Sequence, residues 1–144
     1  YAALSNLTDR SLIDRFLYDE LYGYLRQLDE AWADLPKQLC HGDLGPENIM
    51  HIKGHPVIID WEDLCVGFSG YDYLYWLTFM TNRQFYGDDM WQKTPLPNSQ
   101  IERAVMIATV LLKTELASRS GGTDQLKLPP SVRLMEILDF GEHH

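Results

Sequence analysis

The sequence predicts an α+β domain that is mainly α. Three observations carry this: two long runs whose apolar residues recur at helical spacing, one pair of short apolar runs around a turn signal, and a composition suited to a packed core. Of its 144 residues, 45% are hydrophobic and 23% charged, which is ordinary for a globular protein and gives no sign of disorder. A chain of this length buries ~70% of its unfolded surface around one core, so residues 1–141 read as a single domain. Glu142, His143 and His144 look like the start of a purification tag and carry no functional reading.

In chain order, residues 11–32 place Leu12, Ile13, Phe16, Leu17, Leu21, Tyr24, Leu25 and Leu28 at helical spacing with charges between them. This predicts one long amphipathic helix, started by Ser11 with Asp14 and stopped by Pro36, its apolar face against the core. Leu39 and Cys40 lead into a loop, after which residues 49–52 and 57–59 read as two short strands joined by a turn at Lys53-Gly54. A loop through Gly67 and Gly70 precedes a helix from Tyr71 to about Met80, started by Ser69 or Gly70. Its aromatic stripe of Tyr71, Tyr73, Tyr75, Trp76 and Phe79 suits core packing, first of all for Trp76 and Phe79, or a cage for a quaternary ammonium or a sugar. Residues 87–97 are polar and proline-bearing, a loop on the substrate side of the domain. The capping-box pattern Ser99-Gln100-Ile101-Glu102 opens a second long helix through Val105, Ala108, Leu111, Leu112 and Leu116, buried on one broad face. Residues 119–130 are a linker by composition, and residues 131–140 form a final short helix.

A formal net charge of -9 argues against nucleic acid or an anionic membrane as partner, since both call for a basic face. No run of 18 apolar residues and no leader pattern is present, and the two cysteines, Cys40 and Cys65, form no disulfide framework. A reduced, cytoplasmic protein is the expectation. The first residue, Tyr1, is a poor site for methionine removal, so the chain reads as a piece of a longer polypeptide.

The densest chemical signal is His41-Gly42-Asp43-Leu44-Gly45-Pro46-Glu47-Asn48, followed beyond the hairpin by Val57-Ile58-Ile59-Asp60-Trp61-Glu62. The first run has the spacing of a kinase catalytic loop, with Asp43 and Asn48 five apart, and the second places a carboxylate directly after an apolar strand. Phosphoryl transfer needs a carboxylate to orient the attacking hydroxyl and accept its proton, and hard oxygen ligands for magnesium. Asp43 suits the first task, Asn48 and Asp60 the second. The hairpin brings both candidate ligands to one end. Any one of the three alone reads as a turn residue, but loop, hairpin and second carboxylate together do not. His41 reads as a hydrogen-bonded structural histidine; a zinc site with His51 and His55 has no cysteine pair at ligand spacing to support it.

The runs HGDLGPEN and IIDWED, with Gly67 and Asp72 in GFSGYD, resemble the aminoglycoside phosphotransferase and choline kinase family, relatives of the protein kinases. The resemblance covers about Leu39 to Leu74. It implies a protein-kinase-like fold of which this chain is the C-terminal lobe, with a short β-hairpin carrying the metal site. It also implies Asp43 as catalytic base, Asn48 and Asp60 as magnesium ligands, and His41 and Asp72 as residues that shape the loop. Glu62 and Asp63 are candidates for contacts to substrate or metal, and capping its own helix is a role for Asp72 compatible with shaping the loop. The family often has alanine, aspartate and proline in the loop after IDWE, where this chain has Leu64, Phe68 and Ser69. Trp61-Glu62 replaces the Phe-Gly of protein kinases, which favours a small-molecule acceptor over a protein.

No G-x-G-x-x-G occurs, and the residues before His41 read as helix and not as a five-stranded nucleotide lobe, so the chain reads as the C-terminal lobe alone. The expectation is an ATP-dependent (or other nucleoside triphosphate) phosphotransferase acting on a hydroxyl of an aminoglycoside, amino alcohol or sugar-like molecule, inactive as this lobe alone. The alternative is a non-catalytic binding module that retains the fold. Keeping Asp43, Asn48 and Asp60 together weighs against it, because binding alone does not require all three.

Overall fold

The computed structural model describes residues 1–121 and 128–140; residues 122–127, within the predicted linker, and the suspected tag at 142–144 lie outside the described residues. The chain runs α1 (Ala2–Asp9), α2 (Arg15–Ala31), β1 (Lys37–Cys40), β2 (Ile49–Ile52), β3 (His55–Ile58), β4 (Cys65–Phe68), α3 (Tyr71–Leu77), α4 (Ser99–Arg119) and α5 (Pro130–Asp139). A mainly helical α+β fold is what the periodicities predict. No helix among the described residues is long and apolar enough to cross a membrane.

The helix predicted over residues 11–32 is α2, and α1 before it is a helix that the periodicity does not announce. α1 buries Ala3, Leu4 and Leu7, and the chain then turns through Ser11 at φ 58, with the Leu12 N–H returning to the Leu7 carbonyl at 2.9 Å. Ser11 therefore closes α1's exit, and Asp14 alone starts α2: its Oδ1 accepts from the Leu17 N–H at 2.8 Å. α2 buries Leu17, Leu21, Leu25 and Leu28, the i, i+4 stripe of an amphipathic helix. It ends at Ala31 in a 3-10 turn over Trp32–Asp34, before Pro36 can act; that proline instead holds Leu35 extended and feeds β1.

α4 is the axis of the fold and touches α1, α2, α3 and α5. Residues 101–107 are buried all round, so its first two turns are not the one-sided surface that the sequence predicts. The predicted capping box does not form either. Asn98 caps the helix through Ile101 N–H at 3.0 Å, which frees Glu102 for another task. Its buried carboxylate accepts from the backbone N–H groups of Gln92 and Thr94 and from the Thr94 hydroxyl, fastening the 87–97 segment onto α4. Met90, Trp91 and Leu96 of that segment are core residues, and Trp91 donates to the Phe140 carbonyl at 2.7 Å. The segment is thus built into the helical core and gives no residue to the cavity at Asp43 described below.

The four strands make two separate antiparallel pairs, β1 with β4 and β2 with β3. β2 and β3 form the predicted hairpin, with Lys53 and Gly54 at φ 51 and 81, the doubly left-handed turn that suits a two-residue connection. β1 and β4 are the unpredicted pair. Their register sets Leu39 opposite Val66 and Cys40 opposite Cys65, both cysteines being free thiols. By closing the chain at Cys40 and Cys65, this pair holds the 41–48 loop against residues 59–64.

Candidate active site

The loop after β1 is fixed from both sides. Asp72, in the first turn of α3, accepts the His41 N–H at 2.8 Å on one carboxylate oxygen and the Gly42 N–H at 3.1 Å on the other. The His41 ring is buried and has both nitrogens engaged: Nε2 donates to the Ile59 carbonyl at 2.8 Å, and Nδ1 accepts from the Asp43 N–H at 3.3 Å. That pattern defines the neutral tautomer with its proton on Nε2. Trp61 packs beside the ring at 4.7 Å between centroids.

Gly42 has φ +90, and a Cβ there would lie 2.3 Å from the Asp63 carbonyl oxygen. Only glycine satisfies both the left-handed backbone and the close approach. Gly42→Ala is expected to cost about 2–3 kcal/mol of stability, seen as a lower urea midpoint at unchanged slope. An unshifted midpoint would show that the loop has another course.

Asn48 sits at the head of β2 and is buried; its amide nitrogen donates to the Asp43 carbonyl at 2.8 Å, which turns the carboxamide oxygen away from the loop backbone. Across the hairpin base, the Ile59 N–H donates to the Asn48 carbonyl at 3.0 Å, so Asp60 follows immediately beside Asn48. Asp60 is exposed at φ 62, a backbone region in which aspartate is one of the few tolerated residues. A carboxamide oxygen and an exposed carboxylate at one end of a hairpin suit a magnesium ion that keeps waters and phosphate oxygens in the rest of its shell. Among the described residues no three His, Cys, Asp or Glu side chains converge, which leaves the zinc alternative unsupported: His51 and His55 are exposed on the hairpin while His41 is buried and occupied. Glu62 and Asp63 are exposed in the turn before β4, and Asp63 reaches the loop through its backbone at Gly42.

Asp43 itself receives the Tyr75 hydroxyl on Oδ1 at 2.5 Å. Burial, and then the bond to Asp43, push the Tyr75 phenol well above its ordinary pKa, so it remains the donor. A cavity of about 280 Å³ opens here, lined by Asp43, Glu47, Tyr75, Phe79, Lys113 and Arg133 among others. A larger cavity, about 490 Å³, lies beside Gly42 along β4 and does not include Asp43. Chemistry at Asp43 belongs to the smaller one.

Lys113 and Arg133 are the residues that sequence reasoning missed. The Lys113 ammonium lies 3.8 Å from the Tyr75 ring centroid and 3.6 Å from that of Phe79, and donates to the Thr78 hydroxyl at 3.0 Å. The predicted aromatic cage thus holds the chain's own cation. Trp76, by contrast, packs on Phe85. Arg133, from α5, donates to the Thr78 carbonyl. The available signal was a lysine interrupting the apolar run of α4 between Leu112 and Leu116.

Burial, and then the Arg133 charge, bring the Lys113 pKa down to about 8, while Asp43 and Glu47 pull it upward. The unfolded amine titrates near 10.5, so between those values the unfolded chain binds more protons and stability rises with pH. Lys113→Met is expected to remove that rise. Denaturation at about pH 7.5 and 9.5 checks it: an equal gain in variant and parent would assign the slope to other groups.

A family model described as the phosphotransferase enzyme family (APH) matches residues 3–96, nearly two thirds of the chain, and the chain belongs to that family. The match reaches well beyond the motif stretch at either end, from α1 to the segment that Glu102 fastens; Lys113 and Arg133 lie outside it. No curated protein and no solved structure matches the chain.

Proposed function

We propose that the chain is the catalytic lobe of an ATP-dependent phosphotransferase that acts on a hydroxyl of a small molecule. The observation that supports this most is the fixed course of the 41–48 loop, which the Asp72 carboxylate and the Asn48–Asp43 bond hold while the hairpin base brings the backbone of residues 59–60 up to Asn48. In the proposed reaction Asp43 takes the acceptor's hydroxyl proton while the acceptor oxygen forms a bond to the γ-phosphorus. The bond from that phosphorus to the β,γ-bridging oxygen breaks, and its electron pair leaves on the diphosphate. Tyr75 positions Asp43: its hydroxyl occupies Oδ1 and leaves the second carboxylate oxygen for the acceptor. Asn48 and Asp60 would hold Mg²⁺, which when bound neutralises charge on the nucleotide phosphates.

The nucleotide lobe would come from polypeptide outside this chain, and a reduced cytoplasmic setting fits the free thiols of Cys40 and Cys65. The test is magnesium-dependent nucleotide binding by the full-length polypeptide that carries this chain. Asn48→Ala combined with Asp60→Ala is expected to weaken MgATP binding by 10-fold or more while leaving magnesium-free ATP binding alone. Equal MgATP affinity in the double variant would refute the assignment.

A further inference from the structure

The cavity at Asp43 has two sides of opposite charge. Asp43 and Glu47 lie on one; Lys113 and Arg133, both anchored to Thr78, lie on the other. Among the described residues neither cation has a carboxylate within ion-pair distance, although Arg15, Arg26, Arg83 and Arg119 all do. Asp43 and Glu47 act on Lys113, and Tyr86 and Glu136 on Arg133, only at longer range, and burial disfavours both charges, so an anion held directly between the two cations would relieve that cost. The rings that might have caged a cationic ligand are occupied: Tyr75 and Phe79 already face the Lys113 ammonium. A cationic group would meet like charge at this wall, so the side of the cavity opposite Asp43 favours an anionic group.

We propose that the acceptor is a small hydroxylated oxyanion whose carboxylate or phosphate group lies between Lys113 and Arg133 while its free hydroxyl faces Asp43. The role given to Asp43 rests on the phosphotransferase reading; the oxyanion site does not. Arg133 supplies a fork of donors and Lys113 a point charge, the pair of groups used to hold carboxylates and phosphates. Among hydroxylated acceptors this selects acids over amino alcohols.

The experiment is a titration of the isotopically labelled 144-residue chain with four probes at neutral pH: glycerate, glycerol 3-phosphate, glycerol and ethanolamine. Glycerate or glycerol 3-phosphate is expected to shift the Lys113 side-chain methylene and Arg133 guanidinium resonances saturably, and the stronger of the two tells a carboxylate acceptor from a phosphate one. Glycerol and ethanolamine are expected to bind at least 10-fold more weakly. Lys113→Met and Arg133→Gln should each weaken the anion by 10-fold or more, Arg133→Lys by less, and the surface variant Arg26→Gln not at all. Equal or tighter binding of ethanolamine or glycerol, no binding of either anion, or saturable shifts that spare Lys113 and Arg133 would each overturn the proposal; the resonance readout on the parent chain does so even if a variant fails to fold. Anion binding here, with no phosphoryl transfer by the full-length polypeptide to any of the four probes, would sink the phosphotransferase reading and leave the site standing. Transfer to ethanolamine in preference to glycerate would do the reverse.

Discussion

Asp72→Ala is expected to lower the unfolding free energy by about 3 kcal/mol, a large share of the roughly 5–15 kcal/mol that a domain of this size has in hand. The carboxylate accepts two consecutive backbone N–H groups, from His41 at 2.8 Å and Gly42 at 3.1 Å, and each charge-assisted bond is worth about 1.5–3 kcal/mol. Alanine leaves both donors without their acceptor at a point where the His41 ring and Gly42 backbone are already committed elsewhere. Asp72→Asn keeps one acceptor oxygen but points an amide N–H at the second donor, so it should lose about as much as one bond or somewhat more. Urea denaturation of both variants checks this. A loss below about 1 kcal/mol for alanine would mean that the loop finds other acceptors, and Asp72 would then be no more than a first-turn carboxylate on α3.

The second large effect falls on catalysis. Asp43→Asn in the full-length polypeptide should cut kcat by about 10²–10⁴-fold, the range that a lost general base brings, with nucleotide KM nearly unchanged. The substitution is conservative in structure. The backbone carbonyl of residue 43 still receives the Asn48 amide, and an asparagine oxygen can still accept the Tyr75 hydroxyl. Folding and nucleotide binding therefore serve as internal controls. Tyr75→Phe, which removes only the positioning bond, should lower kcat by about 10-fold without a matching rise in KM. Full activity of the Asp43→Asn enzyme would end its candidacy as the base, whereas no transfer by the parent polypeptide to any hydroxyl would make the non-catalytic binding module the better account.

What the sequence made legible was local. Lys53-Gly54 announces its own turn, the leucines of α2 and the run from Ile101 to Leu116 announce their helices, and HGDLGPEN marks the loop because its spacing is short-range. The unread parts depend on contacts between distant residues. Lys37–Cys40 becomes a strand only by pairing with Cys65–Phe68, whose Gly67 and single valine carry little strand signal. α1 has no side-chain cap and no acidic residue in its first turn, so nothing in residues 1–9 separated it from a frayed start. The Ser99-to-Glu102 spacing fits a capping box, but Glu102 is worth more where it accepts three donors from the 92–94 segment, and Asn98 takes over the cap. At the site, Asp43, Asn48 and Asp60 could be picked out within 18 residues of one another. Lys113 and Arg133 could not, because they reach the cavity from two helices that approach it only once α4 is packed.

Each sheet here has two strands, so every one of the four strands leaves one side of its backbone unpaired. On the β1–β4 pair the facing residues Leu39 and Val66 are 64% and 75% exposed, a greasy spot between two open edges. A net charge of -9 opposes the addition of one copy to another at such edges. That protection is titratable. Towards the sequence pI of about 4.8 it vanishes, and the colloidal behaviour of the chain becomes a matter of strand edges meeting strand edges. The pairing that steadies the 41–48 loop thus also leaves the edges at which the chain is expected to self-associate near its pI.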